Sequence, residues 1–116
     1  TEFSGKAQNL INSERARRGL PELAWDENAA DKAQAWAQKL AASRSLSHSR
    51  LNVGIEGSWS VLGENVGFAR SIDETHNGFM NSAKHREAIL NGGYRSVGIG
   101  VAQNGGLVYV VEVFRG

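Results

Sequence analysis

Apolar residues recur at three- and four-residue spacing through the first third of the chain and at two-residue spacing through the last quarter. Ala7, Leu10, Ile11 and Glu14 share one helical face, and Arg15, Arg17 and Arg18 occupy a final turn where cations suit the helix dipole. Gly19 and Pro21 stop that segment, so the pattern predicts a helix over roughly Ser4 to Arg18. Asp26 reads as the N-cap of a second helix. Its stripe of Ala29, Ala30, Ala33, Trp36, Ala37 and Leu40 is rich in small residues and runs to about Ala42. Small residues there permit close approach to a neighbouring layer.

Between Ser43 and Gly63 the chain is rich in Ser, Gly and Asn and reads as an irregular loop. Leu62 to Ala69 reads as a short strand, a third helix starts near Asp73 and carries Phe79 and Met80, and Ser82 caps a short fourth helix through Leu90. Asn91-Gly92-Gly93 ends it. Val97, Ile99 and Val101 then alternate with small or polar residues, Gln103-Asn104-Gly105-Gly106 is a hairpin signal, and Leu107 to Phe114 is apolar on both faces. A strand apolar on both faces belongs in the middle of a sheet covered on both sides. Helical layers around a sheet follow from this order of elements.

With 116 residues the chain holds one domain's worth of core, and 1–116 is expected to be a single domain. Thirteen Lys plus Arg against 12 Asp plus Glu leave a formal charge of +1, which disfavours a nucleic-acid binder that works by counterion release. The absence of Cys removes disulfides, thiolate nucleophiles, zinc fingers and iron–sulfur clusters together. No apolar run approaches the ~20 residues of a membrane-spanning helix. Thr1-Glu2-Phe3 is not a natural start, and a removed signal peptide or tether is the expectation.

Only three histidines are available for acid–base or metal chemistry. His48 lies in Ser47-His48-Ser49, His76 on the third helix, where exposure is expected, and His85 in the fourth helix; Glu64 lies in Gly63-Glu64-Asn65. No HExxH or HxH pair occurs, so any site must be assembled from distant segments. Taken alone, His48 beside serines also suits a surface hydrogen-bonder, and Glu64 suits a turn residue accepting backbone N–H groups. The residues by themselves leave both readings open.

Asn12-x-x-Arg15, Gly19-Leu20-Pro21-x-Leu23-x-Trp25-Asp26, Ala35-Trp36-Ala37, His48-Ser49, Gly63-Glu64-Asn65 and His85-Arg86-x-x-Ile89-Leu90 occur in an order that resembles the CAP superfamily of cysteine-rich secretory proteins, antigen 5 and plant pathogenesis-related proteins. The likeness runs from about Asn9 to Phe114 and is to the compact bacterial SCP-like branch. Each motif alone is common by chance; the ordered set is specific. It implies an α+β fold, a three-layer α-β-α sandwich with a central, mostly antiparallel sheet. It also implies that His48, Glu64 and His85 meet in an open cleft where the two histidines can hold a divalent metal. Relatives are linked to small-ligand binding and to interactions at cell surfaces.

Two departures from the family pattern matter. Eukaryotic relatives carry a second Glu three residues after an aromatic on the third helix; if Phe79 is that aromatic, Ser82 stands in its place. They also carry a Cys in the last strand, where this chain has Glu112, read as a solvated or salt-bridged strand residue or as a substitute acid.

The resemblance thus points to a secreted or cell-surface protein, expected to be monomeric or weakly associated. Its cleft of His48, Glu64, Ser82 and His85 would bind Zn²⁺ or another divalent metal through His48 and His85, without requiring it. A binding or interaction role is favoured, with a small hydrophobic ligand or a cell-surface or protein partner. Trp59 in its Gly/Ser loop could anchor such a partner, whereas Trp25 and Trp36 are expected in the packed interior. The alternative is a metal- or Ser/His-dependent hydrolase, a peptidase or esterase. Neither Ser49 nor Ser82 lies in a GxSxG elbow, and only one matched carboxylate is available for the tasks of ligand and base.

Overall fold

A computed structural model describes residues 2–116. Helix α1 (Glu2–Arg17) turns Ser4, Ala7, Ile11 and Arg15 inward. It closes with Gly19 at φ 71°, the Gly19 N–H donating to Ala16 O and the Leu20 N–H to Arg15 O, a Schellman-type stop that needs a left-handed residue. Strand β1 (Ala24–Trp25) follows, then α2 (Glu27–Ser43), which begins as expected at Asp26, whose carboxylate accepts the Ala29 N–H at 3.0 Å. Strand β2 (Leu62–Ala69), helices α3 (Ile72–Met80) and α4 (Ala83–Leu90), and strands β3 (Ser96–Asn104) and β4 (Leu107–Arg115) complete the order.

The sheet runs β1-β3-β4-β2, with β1 parallel to β3 and the other two pairings antiparallel. β4 is therefore internal, as its two apolar faces require. Tyr109, Val111 and Val113 face α2 together with Val66, while Val108, Val110 and Phe114 join Ala7, Ile11, Phe79 and Ile89 on the opposite face. Helix α2 forms one outer layer and α1, α3 and α4 the other, giving the three-layer α-β-α sandwich.

The approach of α2 to β3 depends on Gly98 and Gly100. A Cβ at Gly98 would lie 2.1 Å from Ala30 N, and one at Gly100 would lie 2.3 Å from Gln34 N. Both obstacles are helix backbone, so the alanine-rich stripe of α2 rests directly on the strand.

Three expectations need correction. His76 is buried, 6% exposed, rather than solvent-facing, because α1 covers that face of α3, and among the described residues neither ring nitrogen has a hydrogen-bond partner. Arg15 lies in the last turn of α1 as expected. It is buried and donates to Pro21 O, Ile89 O and Asn91 O, tying α1 to the end of α4. Glu112 is neither solvated nor salt-bridged; it lies inside the sheet–helix interface. Ser82 occupies the N-cap position of α4 without making the side-chain cap, because its hydroxyl is engaged elsewhere.

Candidate functional site

Strand β2 is the sheet edge on which the site is built. Strand alternation sends Glu64 to the α2 face and Asn65 to the face covered by α3 and α4. The Glu64 side chain is 1% exposed and accepts three hydrogen bonds: from His48 Nδ1 at 2.9 Å, the Ser49 N–H at 2.9 Å and the Ser49 hydroxyl at 2.5 Å. The irregular segment after α2 is thereby pulled back to the strand, with the His48 ring at its surface and more than half exposed. Because a carboxylate only accepts, His48 donates from Nδ1, and in the neutral form of the ring the lone pair lies on Nε2.

Across the strand edge, Asn65 Nδ2 donates to His85 O and to Glu112 Oε1, both at 3.1 Å. This fixes the backbone of α4 at the position of His85. His85 Nδ1 and the Ser82 hydroxyl share a 2.8 Å hydrogen bond, and the ring stacks on Phe79 with centroids 5.0 Å apart. Burial, the nearby charge on His48 and that of Lys84 all push His85 below the ordinary histidine pKa, which favours neutral imidazole. Glu112 is pushed the other way, up to about 8. Complete burial disfavours its ionised form, and the Asn65 hydrogen bond offsets this only in part.

The expected trio therefore comes together. His48, Glu64, Asn65, His85 and Tyr94 line one cavity of about 260 Å³. His85 and Ser82 also border a second, of about 240 Å³, with Phe68 and Phe79. Gly63 makes room for Tyr94, whose hydroxyl would lie 2.0 Å from a Cβ at that position. Among the described residues no set of three His, Cys, Asp or Glu side chains is placed to share a metal. Trp59 is exposed, but it does not line these cavities. Trp36 is only partly buried and donates its indole N–H to Ser47 O at 2.8 Å, and Trp25, also partly buried, donates to Glu27.

Asn65 and Ser49 were not assigned their positioning roles from sequence. Period-two alternation along Gly63-Glu64-Asn65 was the available signal for Asn65, since it places that side chain opposite Glu64. Nothing in the sequence signalled that Ser49 would close on Glu64.

Comparison with known proteins adds the family. The cysteine-rich secretory protein (CAP) family model matches residues 8–114. The uncharacterized protein YkwD of Bacillus subtilis is 27% identical over 114 residues, covering 90% of this chain and 44% of that protein. The uncharacterized membrane protein YlbC of the same organism is 30% identical over 103 residues, covering 80% and 30%. The chain thus spans less than half the length of these relatives. An extracellular SCP-domain protein of Bacillus anthracis superposes with TM-score 0.85 at 27% identity, over 98% of this chain and 40% of that one. An outer surface protein of Borrelia burgdorferi superposes with TM-score 0.88 at 20% identity, over 99% and 92%, a likeness of fold. With the family model spanning nearly every element of the sandwich, the chain belongs to the CAP, or cysteine-rich secretory protein, family.

Proposed function

We propose that this CAP chain is an extracellular or surface-exposed binding module whose His48–Glu64–His85 cleft takes a divalent cation such as Zn²⁺ weakly and reversibly. The observation that carries this reading is that two imidazoles lining one cavity are each held through Nδ1, His48 by Glu64 and His85 by Ser82. With the His85 Nδ1–H donating to the Ser82 oxygen, the two Nε2 atoms form the donor set, and a carboxylate behind a ligating imidazole orients it and raises its basicity. Glu64 already accepts three hydrogen bonds and serves as that orienting group rather than as a third ligand. Two nitrogens leave the remaining positions of a tetrahedral ion to water, which suits exchangeable rather than structural binding. A bound cation would supply an electropositive anchor for an oxygen of a ligand. The extracellular assignment draws support from the SCP-domain protein and the outer surface protein that share the fold. No helix among the described residues is long and apolar enough to cross a membrane.

Hydrolysis is less well served. A Ser-His-acid relay requires one imidazole between hydroxyl and carboxylate. Here the hydroxyl partner belongs to His85 and the carboxylate partner to His48, while the Ser49 hydroxyl donates to Glu64 itself.

Calorimetric titration with ZnCl₂ tests the reading. His48→Ala and His85→Ala each abolish measurable binding, and Glu64→Gln weakens it by about tenfold or more. Wild-type affinity in both histidine variants removes the metal site. A peptidase or esterase activity that disappears in Glu64→Gln would replace binding with catalysis.

A further inference from the structure

The segment from Ser47 to Glu56 lies along α2 and is held there by a row of helix side chains four residues apart. Asn28 Nδ2 donates to Gly54 O at 3.0 Å, and Asn28 Oδ1 accepts the Glu56 N–H at 2.8 Å. Lys32 Nζ donates to Arg50 O and Val53 O, both at 2.7 Å, and Trp36 Nε1 donates to Ser47 O. These polar ties span a cavity of about 680 Å³ between helix and segment, within the size range of small-molecule pockets. His48 lines both this cavity and the imidazole cleft.

The lining has a definite chemistry. Three cations, Lys32, Lys39 and Arg50, face it against one carboxylate, Asp31. The ammonium of Lys32 is already taken up by two carbonyls. Among the described residues the charged heads of Lys39 and Arg50 have neither an ion-pair nor a hydrogen-bond partner. Lys39 Nζ stands 5.8 Å from the centroid of the Trp36 ring. Because the indole N–H is engaged with Ser47, the Trp36 side chain offers a ligand only its π surface. Val53, 58% exposed, adds an apolar wall. Asp31 lies two helical turns before Lys39, about 12 Å along the axis, so its repulsion falls at the other end of the cavity.

We propose that this cavity binds a small organic anion bearing an aromatic ring, the ring against Trp36 and Val53 and the anionic group toward Lys39 and Arg50. An aromatic body meets the indole face, and an acid group satisfies cations that the protein leaves unneutralised. The site adjoins the histidine cleft at His48 and does not require a metal.

The probe is 8-anilino-1-naphthalenesulfonate, titrated by fluorescence in EDTA, so that the result is independent of zinc binding. Uncharged 1-anilinonaphthalene serves as comparator. Saturable one-to-one binding of the sulfonate to the folded wild type is expected. Affinity falls at least tenfold in Lys39→Ala/Arg50→Ala, remains unchanged in Arg70→Ala, and is at least tenfold lower for the uncharged dye. In a Trp25→Phe/Trp59→Phe background, saturating sulfonate quenches the remaining Trp36 emission. Undiminished affinity in Lys39→Ala/Arg50→Ala, equal binding of the uncharged dye, or unquenched Trp36 emission overturns the proposal.

Discussion

Glu112→Gln should stabilise the protein at neutral pH and leave it unchanged in acid. Glu112 is 1% exposed on the central strand, and among the described residues its only side-chain hydrogen bond is a single donor from Asn65. Its pKa rises from an ordinary value of 4.5 to about 8, so the folded protein holds a proton there that the unfolded chain releases above its own pKa. Between those values the native state binds more protons than the unfolded state, and stability falls as pH rises. The contribution is fully present below about pH 4.5 and is lost progressively up to about pH 8. At roughly 1.4 kcal/mol per unit, the proton uptake costs on the order of 3 kcal/mol at pH 7 and on the order of 5 kcal/mol above pH 8. Glutamine has the same shape, its carbonyl can accept from Asn65, and it does not titrate. Urea unfolding of both proteins, followed by tryptophan fluorescence from pH 4.5 to 8.5, reads the difference directly. Near-coincident midpoints at pH 4.5 that diverge steadily toward pH 8 are expected. Parallel curves across the whole range would refute the claim that the folded state carries a protonated Glu112.

Three other predictions are independent of that one. Gly98→Ala places a methyl against the Ala30 backbone, which no rotamer change relieves, so α2 must lift; a loss of about 3 kcal/mol or more is expected in chemical denaturation, at or above the upper end for overpacked sites. Arg44 sits at φ 52° where α2 closes, with the Ser45 N–H donating to Leu40 O, and Arg44→Gly should relieve the left-handed strain and raise the melting temperature by roughly 0.5–1 kcal/mol worth of stability. His76 is held below the ordinary histidine pKa by burial and by the charge of Arg17, with Asp73 opposing. Its contribution is therefore complete above about pH 6.5 and declines as pH falls, so His76→Phe should flatten the loss of stability below about pH 6.5 that wild type shows in the same denaturation assay.

Local periodicity made much of the fold legible. The small-residue stripe of α2, the Asp26 cap, the strand at Leu62–Ala69 and the hairpin that turns at Gly105-Gly106 each satisfy a rule that acts within a few residues. What was not legible depends on which layer covers which. His76 looks like a surface residue on α3 in isolation and becomes interior only when α1 lies over it. Glu112 is a subtler case. The doubly apolar strand around it already implied burial, but the usual behaviour of a glutamate argued for solvent, and the strand context prevailed. For the cleft, the sequence supplied His48, Glu64 and His85 only through the ordered resemblance, because 37 positions separate the two histidines and no local spacing rule reaches that far. The Ser82 hydroxyl turned from capping to His85 because both partners are available within the same first turn of α4, and propensity cannot choose between them.

Consecutive residues of one edge strand hold the two halves of the cleft: Glu64 holds His48 from one side of the sheet and Asn65 holds the main chain of His85 from the other. Both anchors thus sit on neighbouring residues of a single extended backbone. Deleting one residue from β2 would exchange the two sides and dismantle both anchors together.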